Sequence, residues 1–327
     1  MSLAARGGAG VSREQEPLVS VVIASYNYGR FLRDAVDSAL AQAHPRLEII
    51  AVDDGSTDGS REILAGYEDR IVTVLKDNGG HASAINAGVA RCRGELVALL
   101  DSDDVFLPGK IERVVRAHRE SPRAVLIHHR LRTVDALGTP RGPGWPRDVW
   151  TGDVRERAAR AGGWWPRPTT SAMTFTRSFL EQILPMREDS EPGRAIWPDA
   201  YAGDLAPFFG EIAGIPETLS HYRVHGQNSQ LRFDAKKQLR QIEFEHHQVR
   251  EALARLGRPD SIAPIDNHLA YLESACGQRP GVSVGRVLSA ILTCPGLSLS
   301  GRLLAATRVS RGAVERARRR RDSKAIT

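Results

Sequence analysis

Cysteine is scarce in this chain: Cys92, Cys276 and Cys294 are the only three, odd in number and widely spaced. That excludes a disulfide framework and a cysteine metal site. It fits a reduced, cytoplasmic compartment in which each is a small buried apolar residue. Long hydrophobic runs are also missing. None approaches the roughly 18 apolar residues of a membrane span. Residues 1–16 are rich in Gly, Ala and Arg without the continuous apolar core of a secretory signal, and read as a disordered lead.

Acidic excess is absent too, yet the surplus of positive charge is local. From Arg302 to Thr327 there are nine Lys/Arg against two Asp/Glu, a net of +7, so the other 301 residues sum to about −1. A nearly neutral body with no interleaved aromatic and basic face argues against nucleic acid as a partner. The basic end reads either as a solvated tail or as a patch for an anionic membrane surface.

What is present is β-α alternation through the first 130 residues. Apolar runs at Val19–Ala24, Leu47–Val52, Ile71–Leu75, Leu96–Leu100 and Val125–His128 predict strands. Helical spacing appears at Phe31, Ala35, Val36, Ala39 and Leu40, then over Arg61–Tyr67 and Ala82–Arg91. A further helix with Ile111, Val114 and Val115 on one face starts near Pro108, placed at N1. The pattern predicts an α/β fold, a mostly parallel sheet covered by helices. Ligands of open α/β sheets bind beyond the carboxyl ends of the strands. Asp53-Asp54 and Asp101-Ser102-Asp103-Asp104 both stand at such ends. Clustered carboxylates at a buried strand end repel one another and resist desolvation, so the second cluster reads as a divalent cation site or as a polar turn capping the next helix.

Residues 130–175 carry Trp145, Trp150, Trp164 and Trp165 without a period, and core packing is the leading reading for each. From Phe233 to Leu256, the residues Ala235, Leu239, Ile242, His246, Val249, Leu253 and Leu256 recur at alternating spacings of four and three. That seam predicts one long helix, packed on the core or against a second copy as a homo-oligomer. Val284, Val287, Leu288, Ile291 and Leu292 share a helical face; Pro295-Gly296 breaks the pattern, which resumes at Leu299, Leu303 and Leu304. This segment either packs on the protein or lies on a bilayer surface.

An ordered set of motifs then stands out. They are Val19-Ser20-Val21-Val22-Ile23-Ala24-Ser25-Tyr26-Asn27, Val52-Asp53-Asp54-Gly55-Ser56-Thr57-Asp58-Gly59-Ser60, and Asn78-Gly79-Gly80 with Ala84-Ile85-Asn86-Ala87-Gly88. Gly94-Glu95 leads into Asp101-Ser102-Asp103-Asp104, and Tyr222-Arg223-Val224-His225-Gly226 with Asn228-Ser229 comes late. In order and spacing, residues 19–230 resemble the family 2 glycosyltransferases with the GT-A fold.

The resemblance implies a metal-dependent, inverting transfer of a sugar from a UDP- or dTDP-linked donor to an acceptor hydroxyl. The acceptor would be a carbohydrate, lipid-linked or small-molecule hydroxyl, in glycan, cell-surface polysaccharide or glycosylated metabolite synthesis. It implies a Mn2+ or Mg2+ cofactor on Asp103, with Asp101 near the ribose or metal, Ser102 beside them and His225 as second protein ligand. Asp104 would be a supporting carboxylate or helix cap, and Arg223 would meet the diphosphate. Asp53, with Asp54 beside it, would read the nucleobase. Ala24, standing where the family has proline, would line the base pocket with Ser25, Tyr26 and Asn27. Asn78, Gly80 and Asn86 would shape the same cleft. Asp199 would be the base, with Asp204, one turn on, its rival. The resemblance divides the chain into a lead (1–16), a catalytic domain (17–230), a helical region (231–280) and an amphipathic, basic tail (281–327). A sugar-phosphate nucleotidyltransferase is a competing class, disfavoured by the single glycine of Ser25-Tyr26-Asn27-Tyr28-Gly29-Arg30. A non-catalytic nucleotide-sugar-binding protein is another, disfavoured by the intact acidic cluster.

Overall fold

The structure is a computed structural model that describes residues 16–188, 196–228, 235–258, 262–275 and 282–294, with 297, 299, 302–303 and 306–307 beyond them. The apolar runs form β1 (Val19–Ser25), β2 (Leu47–Asp54), β3 (Val72–Lys76) and β4 (Leu96–Asp101), parallel and ordered β3-β2-β1-β4. Strands covered on both faces need no polar alternation; Val97, Ala98 and Leu100 of β4 are fully buried. Helices α1 (Gly29–Leu40), α2 (Ser60–Ala65) and α3 (His81–Val89) make the crossovers. α1 and α4 (Lys110–Glu120) bury Leu32, Val36, Ile111 and Val114 on one face. α3 buries Ile85 and Val89 on the other, where α5 (Arg155–Arg160), α6 (Arg177–Ile183) and α7 (Pro198–Leu205) complete the core.

The chain runs outward from β1 to β3, then returns for β4 on the opposite side of β1. That reversal is a topological switch point, and it opens a crevice at the carboxyl ends of β1 and β4. Ala24 pairs with Asp101 across it, while Ser25 pairs with Asp53 on the other side of β1.

The second half of the sheet mixes directions. β8 (Met173–Thr176) lies antiparallel between β4 and β6 (Ala124–Asp135). β9 (Glu211–Val224) runs parallel to β6 with register shifts at three places, and such irregularities bend a strand. β7 (Pro140–Trp145) pairs antiparallel with β6, and the two-residue β5 (Val105–Phe106) pairs with His221 and Ser220 of β9. The last pairing carries Tyr222 and Arg223 to the acidic end of β4. Pro108 is not at N1, as the pattern suggested. The Leu107 N–H donates to the Leu219 carbonyl at 2.9 Å, Gly109 turns at φ 79°, and only then does α4 begin.

Beyond the sheet lie α8 (Ala235–Arg255), α9 (Leu269–Ala275) and α10 (Val284–Thr293). The predicted seam of α8 is buried within the chain. Val249 and Leu253 join the main core, and Leu239 and Ile242 join a smaller cluster with Leu272 and Val287. Four of the seam residues, Leu239, Ile242, Val249 and Leu253, are therefore covered within the chain. Trp150 and Trp165 are core residues as read. Cys276, Pro295-Gly296, Leu304, Ser229, Phe233 and the basic run from Arg308 lie outside the described residues, whereas Leu299 and Leu303 are exposed. No described helix is long and apolar enough to cross a membrane.

Close packing of α3 on the sheet is testable. A Cβ on Gly88 would stand 2.5 Å from Val22 Cγ1 and 3.2 Å from Val52 Cγ2. Gly88→Ala is expected to lower stability by about 1–3 kcal/mol in urea unfolding with an unchanged slope.

Candidate functional site

β4 ends by delivering Asp101, Asp103 and Asp104 to one point, where an oxygen of each lies within 4.8 Å of the others. Burial, then the neighbouring charges, hold Asp104 well above the ordinary carboxylate range. Burial likewise raises Asp101, although His81 opposes it. The Asp104 oxygens are occupied: Oδ2 accepts from Ser171 Oγ at 2.6 Å and Oδ1 from the Arg223 N–H at 2.9 Å. Asp101, Ser102 and Asp103 line the crevice; Asp104 stands behind it. Hard carboxylate oxygens crowded at a dry edge are the donor set a Mg2+ or Mn2+ ion requires, so the residues present fit such an ion.

β2 ends in two carboxylates that face opposite ways, because side chains alternate along a strand. Asp53 is fully buried. Its Oδ1 accepts from the Ser56 N–H at 3.0 Å and from Arg61 Nε at 2.7 Å, and Oδ2 has no hydrogen-bond partner. It stands behind the crevice wall rather than on it. Asp54 lines the crevice, but its oxygens accept from Lys76 Nζ at 2.7 Å and from the Gly79 and Gly80 N–H groups at 3.0 and 2.8 Å. It thereby holds the β3–α3 loop, and the Asn78 side chain bonds the Asp54 carbonyl. Asn27, at φ 57°, joins the loops after β1 and β2: its N–H donates to Ser56 Oγ and its Oδ1 accepts from the Thr57 N–H. Ala24, Ser25, Tyr26, Asn27, Asn78 and Gly80 all line the crevice, with Tyr26 47% exposed. Asn86 does not; it donates to the Met186 carbonyl and Glu188 and accepts from the Met186 N–H. Its place is to pin the segment after α6.

The late motif arrives from β9. His225 Nε2 lies 2.9 Å from Asp103 Oδ2, and Arg30 Nη2 lies 3.0 Å from His225 Nδ1. A guanidinium only donates, so Nδ1 accepts and the proton sits on Nε2, pointing at Asp103. Phe31 and Tyr28 pack on the ring. His225 touches Asp103 alone among the three carboxylates. Arg223 does not reach the crevice as predicted. Its donors bond the Asp103 carbonyl, the Ala136 carbonyl and Asp34, at 2.9, 3.1 and 2.9 Å. It braces the acidic turn from behind.

Helix α7 begins at Pro198, and Asp199 in its first turn lines the crevice wall at 4% exposure. Arg167 Nη1 donates to Asp199 Oδ2 at 3.3 Å. Asp204 does not line the crevice; it accepts from Arg167 Nε at 2.8 Å. His81, Trp197 and Thr170 are among the wall residues that the sequence left without a role. His81 Nε2 lies 3.4 Å from Asp101. Burial disfavours the His81 cation, but Asp101, Asp199 and Asp103 more than offset this and raise its pKa. Its one sequence signal was position, just after Gly80 at a strand's carboxyl end. The whole crevice measures about 620 Å³.

Residues 20–184 match the profile described as Glycosyl transferase family 2. A relative from Nostoc, an uncharacterized glycosyltransferase, is 34% identical over 278 residues, 80% of this chain and 83% of its own. The chain belongs to glycosyltransferase family 2. Two solved structures share the fold of this glycosyltransferase. Residues 1–349 of S. aureus TarS, in complex with UDP-GlcNAc, superpose with a TM-score of 0.60 at 14% identity, over 85% of this chain and 82% of that one. The mannosyltransferase PcManGT from Pyrobaculum calidifontis, in complex with GDP-Man and Mn2+, gives 0.55 at 18% identity, over 94% and 84%. The architecture is thus the GT-A type.

Burial of Asp204 predicts a pH signature in this glycosyltransferase. Burial, opposed by Arg167, pushes its pKa up to about 6. A carboxyl raised above its unfolded value of about 3.9 stabilises the fold below that pH, and the contribution disappears as pH rises through the folded value. The stability of the wild type minus that of Asp204→Asn is therefore expected to fall between about pH 4 and 6 in urea titrations. A flat difference would contradict the assignment.

Proposed function

We propose that this glycosyltransferase moves a sugar from a UDP- or dTDP-linked donor to an acceptor hydroxyl, in a metal-dependent reaction that inverts the anomeric centre. The acceptor is a glycan, cell-surface polysaccharide or metabolite hydroxyl. One observation carries the reading: Asp101, Asp103 and Asp199 all line one crevice at the switch point. The first two suit a diphosphate with its counter-ion, and the third suits a proton acceptor.

Asp101 and Asp103 would hold a divalent ion, with His225 on Asp103, and that ion would supply positive charge beside the departing diphosphate. Tyr26, exposed on the crevice wall, offers a ring face to the base. Ser25 and Asn27 shape the pocket around it. Asp199 accepts the proton of the acceptor hydroxyl as its oxygen attacks the anomeric carbon. A new carbon–oxygen bond forms as the bond to the diphosphate breaks. The nucleoside diphosphate leaves with that electron pair, and the proton stays on Asp199 until solvent removes it.

Two measurements test this reading. UDP or dTDP should bind more tightly by calorimetry with Mn2+ present, and Asp103→Ala should remove the gain. Equal Mn2+-assisted binding by the variant would overturn the metal assignment. Asp199→Asn should keep nucleotide binding while transfer falls about 10²–10⁴-fold. Turnover near wild type would place the base elsewhere.

A further inference from the structure

Arg167 belongs to the loop between α5 and β8 and does not line the crevice. Its three guanidinium nitrogens reach three carboxylates. Nε meets Asp204 at 2.8 Å, Nη1 meets Asp199 at 3.3 Å, and Nη2 meets Glu245 of α8 at 3.7 Å. Of the three, only Asp199 lines the crevice. The loop is docked independently of these charges. Buried Trp165 donates its indole N–H to the Gly203 carbonyl of α7 at 3.1 Å, and the Arg167 N–H donates to the Trp165 carbonyl at 2.7 Å. A Cβ on Gly203 would lie 3.3 Å from Arg167 Cδ, so the stem of the arginine runs close against α7.

We propose that Arg167 is the positioning residue for Asp199, and that Glu245 brings helix α8 into the same assembly. The planar fork is anchored at two ends by Asp204 and Glu245, outside the crevice. Its remaining end fixes the Asp199 carboxylate toward the crevice. A lysine carries its three N–H donors on one nitrogen and cannot span the places that the three guanidinium nitrogens occupy. Helix α8, which does not line the crevice, thereby takes part in setting the geometry of proton transfer. This rests on Asp199 being the base.

The test uses the full chain and water as acceptor, with UDP-glucose, UDP-galactose, UDP-GlcNAc and dTDP-rhamnose as donors. Arg167→Gln is expected to lower kcat about 10²-fold, the cost of a displacement near 1 Å, while donor KM changes little. Arg167→Lys should recover only a small part. Adding Arg167→Gln to Asp199→Asn should cost nothing more, because the arginine acts through that carboxylate. A further loss in the double variant, or an unchanged kcat in the single one, overturns the proposal. If Asp199→Asn itself turns over normally, the base reading has failed. If Asp199→Asn is inactive while Arg167→Gln is normal, only the positioning role has failed.

Crystal structures give a readout independent of turnover. In Arg167→Gln the Asp199 carboxylate should leave its place by about 1 Å while the α7 backbone stays; an unmoved carboxylate overturns the proposal. Should Arg167→Gln not fold, Glu245→Gln replaces it in both measurements. A lower kcat at unchanged donor KM, with Asp199 displaced, supports the proposal. An unchanged kcat with Asp199 unmoved overturns it.

Discussion

Repulsion among carboxylates at one edge of a buried sheet is the constraint around which this protein is arranged. Asp53, Asp54, Asp101, Asp103 and Asp104 all stand where β2 and β4 end. Charges removed from water repel more strongly, and each needs a hydrogen bond or a counter-charge. The structure meets the demand residue by residue. Arg61 meets Asp53, and Lys76 with two peptide N–H groups meets Asp54. His81 meets Asp101, His225 meets Asp103, and Ser171 with the Arg223 N–H meets Asp104. Lys110 is buried near them, its ammonium 3.2 Å from the centre of the Phe106 ring, and burial holds its pKa well below the usual lysine value. A substrate bringing its own counter-ion would complete this pattern.

The parallel half of the sheet was legible because β1, β2 and β4 are continuous apolar runs that end in acids or turn residues. The second half was not. Pro140–Trp145 reads Pro-Arg-Gly-Pro-Gly-Trp and carries no alternation, yet pairs with β6. β5 has two residues, too few for any period. Both exist because a longer strand beside them offers hydrogen bonds, which no local pattern records.

The site divided in the same way. Motif residues were placed at the crevice where their position follows from a strand end: Ser25, Asp54, Asp101, Asp103. Arg223 was misread because its partners are backbone carbonyls at Ala136 and Asp103, 87 and 120 residues away. Asp204 follows Asp199 by five residues, about 140° further round the helix at 3.6 residues per turn, and so faces away from the crevice. Arg167 is a single polar residue in a loop, and His81 is the first residue of α3. Only the tertiary fold shows that the first joins α7 to α8 and that the second meets Asp101.

The late motif has a consequence for synthesis of the chain. Arg223 reaches Asp104 across 119 residues, and His225 and Asn228 reach Asp103 across 122 and 125. Closing a loop of that length is entropically expensive, and the contacts that reward it come only at the end. A nascent chain that has not yet released residue 228 from the ribosome holds Asp103 without its full set of side-chain partners. The crevice is therefore finished by nearly the last segment of the sheet to emerge, and no shorter translation product carries it whole.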